Sequence, residues 1–176
     1  MYLRSLDNCL LQIGPYPNFI YDASGGGGEF TIVSNGEDNI KHFQFKNEDF
    51  SIPPLSWKNT KILSLPLPPG LKINILSKKL DGSINENTGA IQMEFEAKFI
   101  FSICSLFYFP GLSVKTCLKT GSVTSKLHKE DGLSLQENGK VTLVGIAIIP
   151  PTGNRILDFF LDLPNEALAV LRCEIK

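Results

Sequence analysis

The chain has 176 residues, 43% of them hydrophobic, and its 17 basic and 18 acidic residues nearly cancel to a net charge of −1. That balance excludes the basic footprint of a nucleic-acid binder and an acidic solubilising tail, and the apolar content excludes wholesale disorder. No apolar run approaches the ~20 residues a membrane helix requires, so no transmembrane segment is expected, and the length suits a single β-rich domain over residues 1–176.

Residues 1–22 carry scattered apolar side chains and two prolines, Pro15 and Pro17. Asp7 and Asn8 interrupt any apolar h-region, so no secretory signal is expected. Together with the lack of an Asn-x-Ser/Thr sequon, this points to a cytoplasmic address. The four cysteines, Cys9, Cys104, Cys117 and Cys173, form no CxxC pair and read as reduced, mostly buried thiols.

Four consecutive glycines make 24–28 a flexible loop, because each costs backbone entropy inside a regular element. Phe30 to Val33 and Ile40 to Phe45 then read as an early hairpin around the turn residues 34–39. Residues 50–70 hold Pro53, Pro54, Pro66, Pro68 and Pro69, which limits this stretch to edge strand or extended connection. Leu63, Leu65 and Leu67 alternate there, and Leu71, Ile73 and Ile75 resume the same period.

After the turn-rich segment 81–89, Ile91, Met93, Phe95, Ala97, Phe99, Phe101 and Ile103 occupy every second position. Gln92, Glu94, Glu96 and Lys98 fill the gaps, so this is one long strand with an oily inner face. Thirteen extended residues span about 43 Å, which predicts a bulge or strong coil. Leu112, Val114, Thr116 and Leu118 alternate as a partner strand, and residues 120–139 read as a polar loop. Val141 to Ile149 is apolar on both faces apart from Thr142, as in a strand covered from both sides. Asn154 can cap a helix carrying Ile156, Leu157, Phe160 and Leu161, and Pro164 can open a second short helix over 165–171. The expected fold class is all-β: an antiparallel barrel or two-sheet sandwich, central strands 91–104, 112–119 and 140–149, with one or two short C-terminal helices.

Chemistry-bearing patterns are sparse. The glycine run is followed by Glu29-Phe30 instead of the Lys-Ser/Thr a phosphate loop needs. There are two histidines, His42 and His128, both expected in solvent, and no nucleophile elbow; a Cys104 or Cys117 dyad with histidine stays open. Asp81, Ser83, Asn85 and Asn87 alternate like half a calcium loop, yet Glu86 and Gln92 stand where glycine and a bidentate glutamate belong. No metal and no cofactor is expected. Glu94 and Glu96 share a strand face about 7 Å apart, a spacing compatible with paired-carboxylate catalysis. The aromatic content carries more: Met93, Phe95, Phe99 and Phe101 share one face, and Phe107, Tyr108 and Phe109 break the alternation before Pro110, where part of the run must be exposed or fold over the core.

Asp81-Gly82-Ser83-Ile84, Thr88-Gly89, residues 93–102 and 114–116, Leu143 to Ala147 and Asp158 to Ala169 together resemble short uncharacterised proteins of cyanobacteria and plastids. The resemblance covers the C-terminal half and implies a photosynthetic lineage without an activity.

Two functions are expected to compete. The first is a non-catalytic binding module for an apolar small molecule (a lipid or pigment) or a protein partner, with Met93, Phe95, Phe99 and Phe101 lining the site and Trp57 nearby. The second is a hydrolase or isomerase using Glu94 and Glu96. A structural or interaction role without ligand stands behind both, and the sequence leaves the oligomeric state open.

Overall fold

The computed structural model describes residues 1–46 and 50–176, mostly as extended backbone. The N-terminal half contributes short strands: β1 (Tyr2–Ser5), β2 (Cys9–Ile13), β3 (Phe19–Tyr21), β4 (Gly27–Asn35), β5 (Ile40–Phe45), β6 (Leu55–Ser56), β7 (Thr60–Ile62) and β8 (Leu65–Pro66). The prolines of 50–70 keep the last three brief, since each ring removes a ladder donor. The C-terminal half is built from longer strands: β9 (Leu71–Asn85), β10 (Ile91–Ile103), β11 (Phe107–Tyr108), β12 (Leu112–Lys119), β13 (Gly121–Thr124), β14 (Lys129–Gly132), β15 (Lys140–Ile149), then helix α1 (Arg155–Phe160) and β16 (Asn165–Ile175).

The main sheet is antiparallel and closes on itself. Its ladder runs β1-β4-β5-β9-β10-β12-β15-β16, and β16 pairs back onto β1, giving a ring of eight strands. Closure joins the two ends of the chain: Lys176 N–H donates to the Tyr2 carbonyl at 2.9 Å and Tyr2 N–H to the Lys176 carbonyl at 2.8 Å. β2 continues along β16 beyond β1 and carries β3, β7 and β8 as a flap. The expected bulge on the long strand falls between Glu96 and Ala97, where Glu96 pairs with Lys79 and Ala97 with Ser77, leaving Lys78 as the extra residue of β9. It lets β9 and β10 coil around the ring instead of running straight.

Three expectations need correction. Residues 165–171 are not a helix but the start of β16, paired residue for residue with β15 from Ile149↔Asn165 to Lys140↔Glu174. A strand apolar on both faces carries the same apolar crowding as a short helix, and here the partners on each side decide. The polar segment 120–139 holds the hairpin β13–β14. That hairpin lies over the outer face of β15 and β16, where Val144, Leu168 and Val170 are buried with Val123 packed on them. This explains why residues 141–149 lack a polar face. His128, in the hairpin's turn, is buried at 5% exposure instead of solvated.

The glycine run is only half loop: Gly27 and Gly28 already belong to β4. Asn154 caps α1 as expected, its Oδ1 accepting from Ile156 and Leu157 N–H at 3.1 and 3.0 Å. One end of the ring is filled by rings from β4, β5 and the following segment: Phe30, Phe43, Phe45 and Phe50, with centroids 4.9 to 5.9 Å apart. At the other end β10 and β15 finish, β9 and β12 begin, and α1 packs across through Leu157 and Leu161 against Leu112, Ile149, Phe101 and Phe109.

Candidate ligand cavity

Between the phenylalanine plug and α1 lies a cavity of about 160 Å³. β10 supplies Met93, Phe95, Phe99 and Phe101, the alternate side chains that strand geometry turns inward. Ala147, Ala167 and Ala169 line the β15–β16 wall, where small side chains leave the space open. Leu11, Phe19 and Tyr21 complete it from β2 and β3, and Leu161, the C-cap of α1, borders it at the far end. Phe99 and Phe101 are half-buried, as befits rings facing a void instead of close-packed core.

None of the described lining residues is charged. Two of its polar side chains are already committed: the Tyr21 hydroxyl donates to the Pro53 carbonyl, and Gln12 Nε2 to the Tyr16 carbonyl at 3.0 Å. Burial pushes the Tyr21 hydroxyl and the Cys173 thiol well above their ordinary ranges, so both stay protonated. Walls of Leu, Ile and Phe offer water few partners and so favour an apolar occupant; an enclosed engineered cavity of ~150 Å³ lined in that way takes up benzene.

The remaining candidate residues stand elsewhere. Glu94 and Glu96 face outward on β10. Glu94 lies 2.6 Å from Lys79 Nζ, and Glu96 3.7 Å from Lys115 Nζ. The hydrogen bond from the Lys79 ammonium, reinforced by its charge, holds Glu94 below the usual carboxylate range. Glu94 and Glu96 both border an outer cleft of about 230 Å³ with Lys79, Lys115, Thr116 and Cys117, but a general acid or base there needs the opposite, a raised affinity for protons. Trp57 is 52% exposed between β6 and β7, with the Lys58 ammonium 5.8 Å from its ring, and does not line the cavity. Asp81, Ser83 and Asn85 belong to β9, and Asn85 Oδ1 caps the hairpin turn by accepting from Asn87 and Thr88 N–H at 3.0 Å each. Among the described residues no three His, Cys, Asp or Glu side chains converge to hold a metal. All four cysteines are free thiols.

The alternation of β10 pointed at the four lining residues Met93, Phe95, Phe99 and Phe101. The wall from β2 and β3 lacked such a signal, because three- to five-residue strands give too few repeats to establish a period. Ser125 and Glu166 form a polar cluster with His128, a grouping that no spacing in the sequence announces. Ser125 Oγ donates to Glu166 Oε2 at 2.5 Å, Leu127 N–H to the same oxygen at 3.3 Å, and His128 Nε2 is buried without a hydrogen-bond partner among the described residues.

Comparison with known proteins returns nothing: no family model, no curated protein and no solved structure matches this chain. Function therefore rests on the cavity and the surface around it.

Proposed function

We propose that the protein is a non-catalytic binding module that holds an apolar small molecule, in the class of a lipid tail or pigment, inside the ring. The observation that carries this reading is the uncharged cavity walled by Met93, Phe95, Phe99 and Phe101. Eight-stranded rings have an interior wide enough either to be filled by side chains or to hold one small ligand. Here three alanines keep part of the interior unfilled. The volume suits a benzene-sized group or a short hydrocarbon segment, and Met93 can re-pack around a longer one. Acid–base chemistry by Glu94 and Glu96 has less support, since both carboxylates sit outside the ring beside lysines.

The test is a titration with 1-aminoanthracene, an apolar fluorophore, alongside native mass spectrometry of freshly purified protein. The expected result is saturable uptake by the parent chain, weakened about tenfold or more by Ala147→Phe, which fills the cavity from its wall. Equal uptake by parent and variant, or none by the parent, overturns the reading.

A further inference from the structure

The end of the ring covered by α1 carries a concentration of exposed apolar side chains. On the helix, Ile156 is 74%, Phe159 89% and Phe160 62% exposed. Beside it, the turn after β10 and the strand β11 present Leu106, Phe107 and Tyr108, each more than 60% exposed. Phe109, next in the chain, packs with Leu157 and Leu161 of α1 and so joins turn and helix at one rim. Leu63 and Leu65, in the β7–β8 turn that leads into β9 at the same end, are exposed as well.

We propose that this rim docks the protein onto the surface of an anionic phospholipid bilayer. Large aromatic and aliphatic side chains on a helix and protruding turns are what enters the boundary between headgroups and acyl chains. The charges around them have the matching sign. Lys61, Lys72 and Arg155 are exposed at this end and Lys98 is half-buried beside Gly111. Asp158, Asp162 and Glu166 stand nearby and keep their negative charges, since their hydrogen-bond partners are neutral groups, but Lys126 is exposed beside Glu166 as well, and these five basic side chains outnumber the three carboxylates. Lysine and arginine close to an anionic leaflet add attraction that the apolar contact alone lacks. The opposite end is more polar: its turns carry the Lys41–Glu86 ion pair and the Asn39–Asn87 hydrogen bond, although Met1, Tyr2 and Val33 are exposed there too. The same charges disfavour a second copy of the chain as the occupant, because a two-fold contact would set Lys61, Lys72 and Arg155 against themselves.

The rim also covers the cavity. Leu157 and Leu161 face inward from the helix whose other side presents Phe159, so an apolar molecule leaving the ring beneath α1 enters the bilayer without crossing water. The docking surface itself stands on the exposed side chains, whatever the ring holds.

Vesicle flotation tests it, with phosphatidylcholine vesicles and phosphatidylcholine vesicles containing a phosphatidylglycerol minority as probes. The parent chain is expected to float with the anionic vesicles and to detach in high salt. The double variant Phe159→Glu with Phe107→Glu, both at exposed positions, is expected to lose about tenfold or more in partitioning. Val33→Glu, an exposed position at the opposite end, is expected to bind as the parent does. No flotation of the parent, equal flotation of the double variant, or equal loss in Val33→Glu overturns the proposal. Sedimentation velocity showing a dimer that Phe159→Glu dissociates, without vesicle binding, assigns the rim to self-association and also overturns it. Ala147→Phe is expected to float normally while failing to take up the fluorophore, so docking and ligand binding fail separately.

Discussion

Asp158 concentrates three donors on one carboxylate: Thr152 N–H at 2.7 Å, the Thr152 hydroxyl at 2.5 Å and Gly153 N–H at 3.1 Å. The Thr152 hydroxyl is the largest influence holding this acid below its ordinary range, and the Ser125 hydroxyl does the same for Glu166. A carboxylate whose proton affinity is lower folded than unfolded stabilises the fold above the unfolded value, near pH 4 for Asp, and loses that contribution as pH falls through its folded value. Asp158→Asn is therefore expected to melt below the parent at pH 7, with the gap closing as the pH is lowered below about 4. Thermal unfolding across that range checks it, and a gap independent of pH rejects the assignment. Neither carboxylate's role could be read from sequence, because the donors come from a turn folded back on its own helix and from a hairpin 41 residues away. Met93 and Glu94 show the converse. Strand alternation alone sends one into the cavity and the other to Lys79.

Among the elements, β4 opens with a glycine that no other residue can replace cheaply. Gly27 has φ +135°, and a Cβ there would stand 2.1 Å from the Leu3 carbonyl oxygen of β1, its ladder partner. Gly25 also has positive φ, +91°, but a Cβ would meet nothing within 4 Å. Gly27→Ala is thus expected to cost about 3 kcal/mol or more, through strain and a broken β1–β4 ladder, and Gly25→Ala about 1 kcal/mol. Urea unfolding midpoints of the two variants compare them directly; equal losses refute the close-approach account. A run of four glycines announces a loop in sequence, yet Gly27, which the sheet crowds, is indistinguishable there from Gly25, which nothing approaches. The same limit governs β16. Its central residues are apolar on both faces because β13–β14 cover one side and the cavity lies on the other. Periodicity reports how many faces are buried and is silent about what buries them. Where only one face is buried, as in β10 and β12, the strands were legible to within a residue.

At the scale of the molecule, the decisive contact is the most distant one in sequence. β16 holds β15 along its whole length, β1 at its C-terminal end and β2 nearer its start, so the first and last strands together shut the ring. No local pattern encodes that closure, which is why barrel and sandwich stood level on sequence alone. It also makes the two ends neighbours, tied by reciprocal hydrogen bonds between Tyr2 and Lys176. A circular permutant is then expected to fold. Residues 1 and 176 are joined by a short glycine-serine linker, and new ends are opened between Glu37 and Asp38 in the exposed β4–β5 turn. Every strand of the ring stays intact in this design, and only the order of loop closure changes. Its stability is expected within about 2 kcal/mol of the parent, with one cooperative unfolding transition and unchanged uptake of 1-aminoanthracene. Opening the chain instead between Val144 and Gly145 cuts β15 in the middle of its ladder, and that permutant is expected not to fold cooperatively. If the first permutant fails while its linker is long enough to be slack, the ends are not held together as described and the β1–β16 closure is refuted.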